Sequence, residues 1–337
     1  MSEITIKFLA EKLNLASSTV SRALNDSHEI SDKTKKRVLD LAKSLNFQPN
    51  ANARSLREQK SKTIGVIVPD RVNNFFNLVI EGLESVCREE GYSLIVYNSY
   101  EDVEQEKKII YSLLGGKVDA VVISLADEEK EVQHLEWLRE KNIPILFFDR
   151  VARHVSGLKY TTNDLESAYL ATKHLLDKGC KKVAFLGLSN TSSVGKARQD
   201  GFIKAHIEHG LVYDKNLLIG FGHDDIENQK VLEKLFYKIN RPDGVLAAAE
   251  KLGIATLRAL HNLRIKIPEQ VRIVSFTNMQ FADLLSPALS TIAQPAFELG
   301  STCAKELIRG LKSKNINLFE EKKIELPSKF TIRDSSK

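Results

Sequence analysis

Several features that define other classes of protein are scarce or missing in this chain of 337 residues. Its three cysteines, Cys87, Cys180 and Cys303, are odd in number and too widely spaced for a disulfide framework or a metal site, so we expect buried thiols in a reducing compartment. The apolar runs, such as residues 118–126, are far shorter than the ~20 residues of a membrane span. The first residues show no basic start followed by an apolar run, so the sequence predicts a cytoplasmic protein without a secretory signal.

The charge is unevenly distributed along the chain, although the formal net charge is only +5. Residues 1–62 contain 12 Lys and Arg against 7 Asp and Glu, whereas the remaining 275 residues contain 37 of each sign. The first fifth of the chain therefore carries the entire excess. A small basic module joined to a neutral body is typical of a nucleic-acid-binding head, although a solvated surface alone would give the same count.

Residues 4–48 show the pattern of three short helices and no strand pattern. Asn14 tolerates a left-handed conformation and is suited to end the first helix. Ser17 or Ser18 is suited to cap the second helix, and Ser31 to cap the third. A helix, a tight turn and a second helix of this length predict a helix-turn-helix, whose second helix fits the major groove of DNA.

From residue 63 onward, strand patterns alternate with helix patterns, which indicates βαβ units and parallel sheets. The predicted strands are Thr63–Val68, Ser93–Tyr97, Ala120–Ser124, Ile145–Phe148, Lys182–Leu186, Gly244–Ala248 and Val271–Phe276. The predicted helices are Phe75–Glu90, Glu101–Leu114, Leu165–Lys178, Gly195–His209 and Leu252–Leu263. So many strands favour two similar lobes with a seam near residues 158–163. Because ligands of parallel sheets bind beyond the carboxyl ends of the strands, a cleft site between the lobes is expected.

Two groups of short motifs carry a resemblance to a known family. In the N-terminal part they are ITIKFLA at 4–10, STVSRALN at 18–25, FQPN at 47–50 and ARSLR at 53–57. In the remainder they are IGVIVP at 64–69, NFF at 74–76, FFDR at 147–150, RQDGF at 198–202 and TIAQP at 291–295. Over nearly its whole length, the chain resembles the LacI/GalR (lactose-repressor) family of bacterial transcription regulators.

The resemblance implies an α/β protein with an N-terminal helix-turn-helix head and a two-lobed core like that of periplasmic binding proteins. It implies a DNA-binding head at 1–48, a hinge helix or linker at 49–61, and an effector-binding and dimerisation core at 62–337. The expected lobes of the core are about 62–160 with 293–325, and about 161–292 with 326–337. A C-terminal segment is thus expected to cross back into the first lobe.

The resemblance, together with the chemistry of groove reading, selects candidate DNA-binding residues. Ser17 and Ser18 stand where base choice is made in the family, although helix capping is the simpler role for both. Arg22 is able to address a guanine edge with two hydrogen bonds. In the family, the residue that matches Leu56 wedges into the minor groove and kinks the duplex, whereas packing on its own core is the alternative. The predicted set is Thr5, Ser17, Ser18, Thr19, Ser21, Arg22, Asn25, Asn50, Ala53 and Leu56.

Sugar-type ligands require carboxylates, amides and guanidinium groups for their hydroxyls and an aromatic face for the ring. Side chains of these types follow several of the predicted strands or open a following helix. The predicted effector-binding set is Phe75, Phe76, Asp149, Arg150, Arg198, Glu250, Thr277 and Asn278. Adjacent Asp149 and Arg150 have a simpler alternative as an exposed charge pair.

Two positions of this set depart from the family. Ala249-Glu250 stands where the family often has Asn-Asp, and Thr277 stands where it often has Asp. These changes leave three possibilities open: an ordinary sugar, a phosphorylated or oligomeric saccharide held by Arg150 and Arg198, or a pocket that has lost ligand control.

Other functions fit the sequence less well. A sugar-binding protein without a regulatory role would share the core but would need an export signal and would lack the head. An enzyme is suggested only by short strings that lack their companion motifs, namely Ser193–Lys196, Gly187–Lys196 and the pair His206 and His209. The sequence therefore predicts no enzymatic activity, no cofactor and no metal.

The predicted function is that of a sequence-specific DNA-binding transcriptional regulator that is controlled by a carbohydrate-type effector in the cleft. Of the two directions of regulation, we expect repression. The expected partners are a pseudo-palindromic double-stranded operator, the effector and a second copy of the chain. No interaction with a membrane is expected. A homodimer is expected because one head reads one half-site, and no tetramer because the last residues show no apolar heptads. The operator, the effector and the direction of its effect stay open.

Overall fold

The computed structural model describes residues 4–47, 60–70, 73–128, 132–188, 192–222, 224–313 and 316–337. The chain divides into two compact units, Met1–Ser61 and Lys62–Lys337.

The first unit contains three helices, α1 (Ile6–Leu13), α2 (Ser17–Leu24) and α3 (Asp32–Ser44). Their apolar faces meet in a small core in which Leu9, Val20 and Val38 are inaccessible to solvent. This packing is necessary because helices of 8 to 13 residues are marginal in water by themselves. The order of helix, turn and helix confirms the predicted helix-turn-helix.

Capping residues set the ends of these helices. The side chain of Thr5 caps α1 by accepting a hydrogen bond from the backbone N–H of Phe8, and Asn14 ends α1 with a left-handed φ of 55°. Ser31 caps α3 as predicted. The prediction that Ser17 or Ser18 caps α2 is wrong. The cap position is Ala16, which has no side-chain acceptor, so both serines belong to the first turn of the helix.

The second unit contains two parallel-dominated sheets with helices around them. Its strands are β1 (Thr63–Val68), β2 (Ser93–Asn98), β3 (Ala120–Ile123), β4 (Ile145–Phe148), β5 (Leu158–Thr162), β6 (Val183–Leu188), β7 (Leu218–Phe221), β8 (Gly244–Ala247), β9 (Arg272–Phe276), β10 (Ser290–Ala293), β11 (Lys322–Leu326) and β12 (Lys329–Thr331). Its α-helices are α4 (Asn74–Glu89), α5 (Val103–Leu113), α6 (Gln133–Glu140), α7 (Asp164–Asp177), α8 (Ser193–Glu208), α9 (Asp225–Tyr237), α10 (Glu250–Asn262) and α11 (Ala296–Lys312).

Within the described residues, each sheet has six strands. The order in the first sheet is β11-β5-β4-β3-β1-β2, and all its pairs are parallel. The order in the second sheet is β12-β10-β9-β8-β6-β7, in which only the pair of β10 and β12 is antiparallel. The predicted α/β class with two parallel lobes is therefore confirmed.

The chain passes between the two sheets at three points, after β5, after β10 and after β11. The second passage returns α11 to the first sheet, where it packs on α4. The two helices approach closely at Gly82 and Gly300, because a Cβ at Gly300 would lie 2.0 Å from the carbonyl oxygen of Val79. The C-terminal part of the chain thus crosses back into the first lobe, as the family resemblance implies.

Cys87, Cys180 and Cys303 are buried free thiols, as the sequence predicts. No helix in the described part of the chain is both long enough and apolar enough to span a lipid bilayer.

Candidate functional site

The second helix of the head presents polar side chains on the side opposite its core. α2 buries Val20 and Ala23, whereas Ser17, Ser18 and Arg22 are exposed. Thr19 and Ser21 are partly exposed, and Thr5 and Asn25 are exposed at the neighbouring helix ends. Short hydroxyl side chains and a guanidinium on one exposed helix surface are suited to base edges and phosphates.

Arg22 and Asn25, like Thr5, have intramolecular partners. The Nη1 of Arg22 lies 2.7 Å from the Oε2 of Glu29, and both side chains are more than half exposed. An exposed ion pair of this kind contributes little to stability, so it can be exchanged for a guanine edge. Asn25 donates a hydrogen bond of 2.8 Å from its amide to the backbone carbonyl of Ser21, beyond the end of α2.

The remaining predicted DNA-binding residues, Asn50, Ala53 and Leu56, lie outside the described residues, as does most of the predicted hinge.

In the second unit, side chains from both lobes converge on one cleft beyond the carboxyl ends of the strands. All eight predicted effector-binding residues line it. The lining residues are Asn73, Phe75, Phe76, Asp149, Arg150, Leu188, Ser192, Val194, Gly195, Arg198, Ala248, Ala249, Glu250, Phe276, Thr277, Asn278 and Gln294. The side chains predicted from the strand ends thus lie in one cleft.

Asp149 is a buried carboxylate at the end of β4. Its backbone has a left-handed φ of 59°, a conformation rare for a residue other than glycine and common at binding sites. Its side chain receives one long hydrogen bond, 3.4 Å from the hydroxyl of Ser124. Burial raises its pKa to about 6, although Arg150 and Arg198 oppose this shift. Among the described residues, this buried carboxylate therefore receives a single weak hydrogen bond.

Arg198 is anchored rigidly in the second lobe. Its Nε lies 2.7 Å and its Nη2 2.6 Å from Oδ1 of Asp164, and its Nη1 donates to the carbonyl of Ala248 at 2.7 Å. The guanidinium carbon lies 4.0 Å above the ring of Phe276. Arg198 lies in the second turn of α8 rather than at its start, because the helix begins two residues before the predicted position.

Arg150 follows Asp149 but is not paired with it. Its Nη2 lies 2.8 Å from Oε1 of Glu101, and both Asp149 and Arg150 are buried. The alternative of an exposed charge pair is therefore wrong.

Glu250 connects the two lobes. Its Oε1 accepts a 2.8 Å hydrogen bond from the amide of Asn74 in the first lobe, and its Oε2 accepts one of 2.5 Å from the hydroxyl of Thr277 in the second. The amide of Asn278 donates to the carbonyl of Gln294 at 2.7 Å. The two positions that depart from the family pattern thus contact each other directly.

Phe75 and Phe76 open α4 and form an apolar wall. Their rings pack edge to face with centroids 5.2 Å apart, and Phe76 makes a similar contact with Phe148 at 6.0 Å. Both rings are largely buried, so the wall is rigid.

Sequence reasoning missed the residues that hold this site in place. Asp164 was missed because it opens a helix after a strand, β5, that the pattern did not indicate. Glu128 was missed as well, although it connects the lobes by accepting hydrogen bonds from the backbone and the hydroxyl of Ser193. A carboxylate shortly after a predicted buried strand is the signal that would have found Glu128.

Residues of the enzyme-like strings have partners within the fold. The Ser193 hydroxyl donates to Glu128 at 2.6 Å, whereas Lys196 lines a different depression beside β7. The Nδ1 of His206 donates a hydrogen bond of 3.0 Å to the carbonyl of Phe202 in its own helix.

Comparisons with known proteins agree with this architecture. Residues 5–50 match the family model of bacterial regulatory proteins, lacI family, and residues 172–336 match that of the periplasmic binding protein-like domain. The chain is 31% identical to the HTH-type transcriptional regulator RegA of Clostridium saccharobutylicum, over 93% of this chain and 94% of that protein. It is 29% identical to the ribose operon repressor of Halalkalibacterium halodurans, over 99% and 97%.

Among solved structures, the lac repressor dimer bound to operator and the anti-inducer ONPF superposes with a TM-score of 0.85. The superposition covers 99% of both chains at 20% sequence identity, so this similarity concerns the fold alone. The relatives named above are transcriptional regulators. A head of the lacI type, a two-lobed core of the periplasmic-binding type and a full-length relative above 30% identity together establish that this chain is a DNA-binding transcriptional regulator of the lacI family.

Proposed function

We propose that this chain is a repressor that binds a pseudo-palindromic operator as a homodimer and responds to a small carbohydrate-type effector in the cleft. The observation that carries the proposal is the presence, in one chain, of a lacI-type head and of a cleft lined by polar side chains from two lobes. The ribose operon repressor, which is similar over the full length, is a regulator named for a sugar operon.

In this proposal residues 1–48 form the DNA-binding head, 49–61 the hinge and 62–337 the effector-binding and dimerisation core. The predicted DNA-binding residues read the operator, with Arg22 exchanging Glu29 for a base. Asn50, Ala53 and Leu56 act in the hinge. The protein works where the DNA is, in the cytoplasm.

The eight predicted effector-binding residues hold the effector. Asp149 and Glu250 accept hydrogen bonds from its hydroxyls, Arg198 and Asn278 donate to its oxygens, and Phe75 and Phe76 cover an apolar face of the ring. The protein binds this molecule without chemical turnover, which is supported by the hydrogen bond that ties the Ser193 hydroxyl to the carboxylate of Glu128.

A second copy of the chain is expected because one head reads only a half-site. The second lobe carries large apolar side chains in contact with solvent, including Phe281 at 52% and Leu284 at 81% exposure. Such side chains are suited to a subunit interface.

Effector and DNA are coupled through the lobes. The hydrogen bonds of Asn74 with Glu250 and of Glu128 with Ser193 cross the cleft, so a ligand that alters them changes how the lobes are arranged. The ligand shifts the equilibrium only by its different affinity for the two arrangements, and couplings of this type are ~1–3 kcal/mol.

The test is a thermal-shift screen of metabolites, followed by titration of a selected operator with and without each compound that stabilises the protein. A saturating effector is expected to change operator affinity by about 5- to 150-fold. Asp149→Ala and Arg198→Ala are expected to abolish the response. Unchanged operator affinity with every stabilising compound, or variants that bind as tightly as wild type, would contradict the assignment.

A further inference from the structure

The cleft contains two guanidinium groups, but the protein's own carboxylates neutralise both. Glu101 pairs with Arg150 at 2.8 Å, and Asp164 pairs with Arg198 at 2.6 Å. Neither carboxylate belongs to the lining of the cleft, so both act from behind the cations. A phosphate that binds here would have to compete with a buried ion pair, which is strongly destabilised when it is broken.

Side chains of the protein also compete with an anion at the helix starts of the cleft. Helix N-termini attract anions because their N–H groups lack partners and the helix dipole is positive there. At the start of α8, the carboxylate of Glu128 already accepts the N–H of Ser193. The first residue of α10 is Glu250 itself, and the side chain of Asn73 takes the N–H of Phe75 at the start of α4. At each of these three helix starts a side chain of the protein thus either accepts an N–H group or adds a negative charge, which disfavours an anion there.

Two carboxylates of the lining have no cationic partner among the described residues. Glu250 receives hydrogen bonds from the neutral groups of Asn74 and Thr277, and Asp149 receives its long bond from Ser124. Of the charged groups near Asp149, the carboxylates of Glu128 and Asp164 repel it and Arg150 and Arg198 attract it. The pKa of Asp149 is nevertheless raised, since burial outweighs the two cations. The excess charge of the cleft is negative.

We propose that the cleft selects a hydroxylated ligand that carries an ammonium group, of the amino-sugar class, and discriminates against phosphorylated saccharides. The ammonium pairs with Asp149, the more deeply buried carboxylate, and Glu250 adds a second negative charge to the same cleft. A strongly hydrated ammonium is buried favourably only beside such carboxylates. This inference rests on the proposed effector role of the cleft, and it argues against the phosphorylated saccharide that the sequence left open.

Matched saccharides that differ in charge test the proposal. Calorimetric titrations of the full chain at pH 7.5 compare glucosamine, glucose and glucose 6-phosphate, the corresponding galactose and mannose compounds, and N-acetylglucosamine, in which the ammonium is lost. An amino member is expected to bind at least ~10-fold more tightly than its neutral and acetylated counterparts, as expected for one ionic contact in a partly desolvated site. The phosphates are expected not to bind measurably.

Two variants localise the effect. Glu250→Gln keeps the size and the hydrogen-bonding oxygen but removes one charge, so it is expected to reduce the preference for the amino member at least ~5-fold. Glu104→Gln, which removes an exposed carboxylate paired with Lys107 outside the cleft, serves as the control and is expected to leave the preference unchanged.

The outcomes separate this inference from the proposed function. Tighter binding of a neutral or phosphorylated member, or no binding of any amino member, overturns the charge inference. If a neutral or phosphorylated member binds and changes operator affinity, the proposed function still stands. If an amino sugar binds with the expected preference but leaves operator affinity unchanged, the charge inference stands and the regulatory role of the cleft fails.

Discussion

Replacing Asp164 with Asn is expected to lower the free energy of unfolding of the core by about 3 kcal/mol. The carboxylate and the guanidinium of Arg198 are both buried, and one carboxylate oxygen receives two N–H groups while the other receives the hydroxyl of Thr162 at 2.9 Å. Asn preserves the shape and one oxygen but leaves the guanidinium without a counter-charge. Removal of one partner of a buried pair costs about 3–5 kcal/mol, and the retained oxygen places the loss at the lower end.

The measurement is chemical and thermal unfolding of wild type and variant, with an expected drop in Tm of roughly 5–10 °C. Asp334→Asn is the matched control, because Asp334 pairs with Lys337 at 2.8 Å with both side chains more than half exposed. Exposed pairs contribute little, so its stability is expected to equal that of wild type. An equal effect of the two substitutions would refute the view that Asp164 anchors Arg198.

The double variant Asp164→Asn with Arg198→Met provides an internal check. It removes the buried charge along with its partner, so it is expected to be more stable than Asp164→Asn alone. A strictly additive loss would show that the two side chains act independently.

Two further predictions concern packing and protonation. Gly300→Ala is expected to destabilise the core by about 1–3 kcal/mol in urea unfolding, because the added Cβ would lie 2.0 Å from the carbonyl oxygen of Val79. The control Gly115→Ala is expected to be neutral, because Gly115 has open space around it. Equal effects of the two substitutions would contradict the close helix contact. Because burial raises the pKa of Asp149 to about 6, the native state binds more protons than the unfolded state between about pH 4 and 6, and stability from this residue rises as the pH falls through that window. Asp149→Asn is therefore expected to exceed wild type in stability at pH 7 by up to about 3 kcal/mol and to match it near pH 4 in pH-dependent melts, and a constant difference would contradict a buried carboxylate.

The strands at the centre of each sheet were predictable from the sequence, whereas β5, β7, β10, β11 and β12 were not. β4, and β1 after Thr63, are buried runs without a polar residue, as expected of parallel strands covered on both faces, and the predicted bounds of both strands agree with the structure. β5 contains Lys159, whose burial depends on an ion pair with Glu321 more than 150 residues away. No local pattern contains that partner, so the strand was missed.

The candidate site was predictable to the extent that it follows strand ends. Asp149 was identified because it comes directly after an apolar run, and Thr277 because the family often has Asp at its position. The hydrogen bonds and ion pairs of the cleft side chains involve partners that are distant in the sequence, such as Asn74 for Glu250 and Asp164 for Arg198. The sequence therefore indicated which groups meet at the cleft but not that its cations are already neutralised.

The central claim, that this chain recognises a specific DNA sequence, is tested most directly by titrating the full chain against one genomic fragment that it selects and against the same fragment shuffled. At 150 mM salt the selected fragment is expected to bind at least ~10³-fold more tightly and to contain a two-fold symmetric motif. Arg22→Ala is expected to weaken binding to the selected fragment by about 1–3 kcal/mol and to affect the shuffled one much less. Equal affinity for the two fragments, or equal losses on both, would contradict the account.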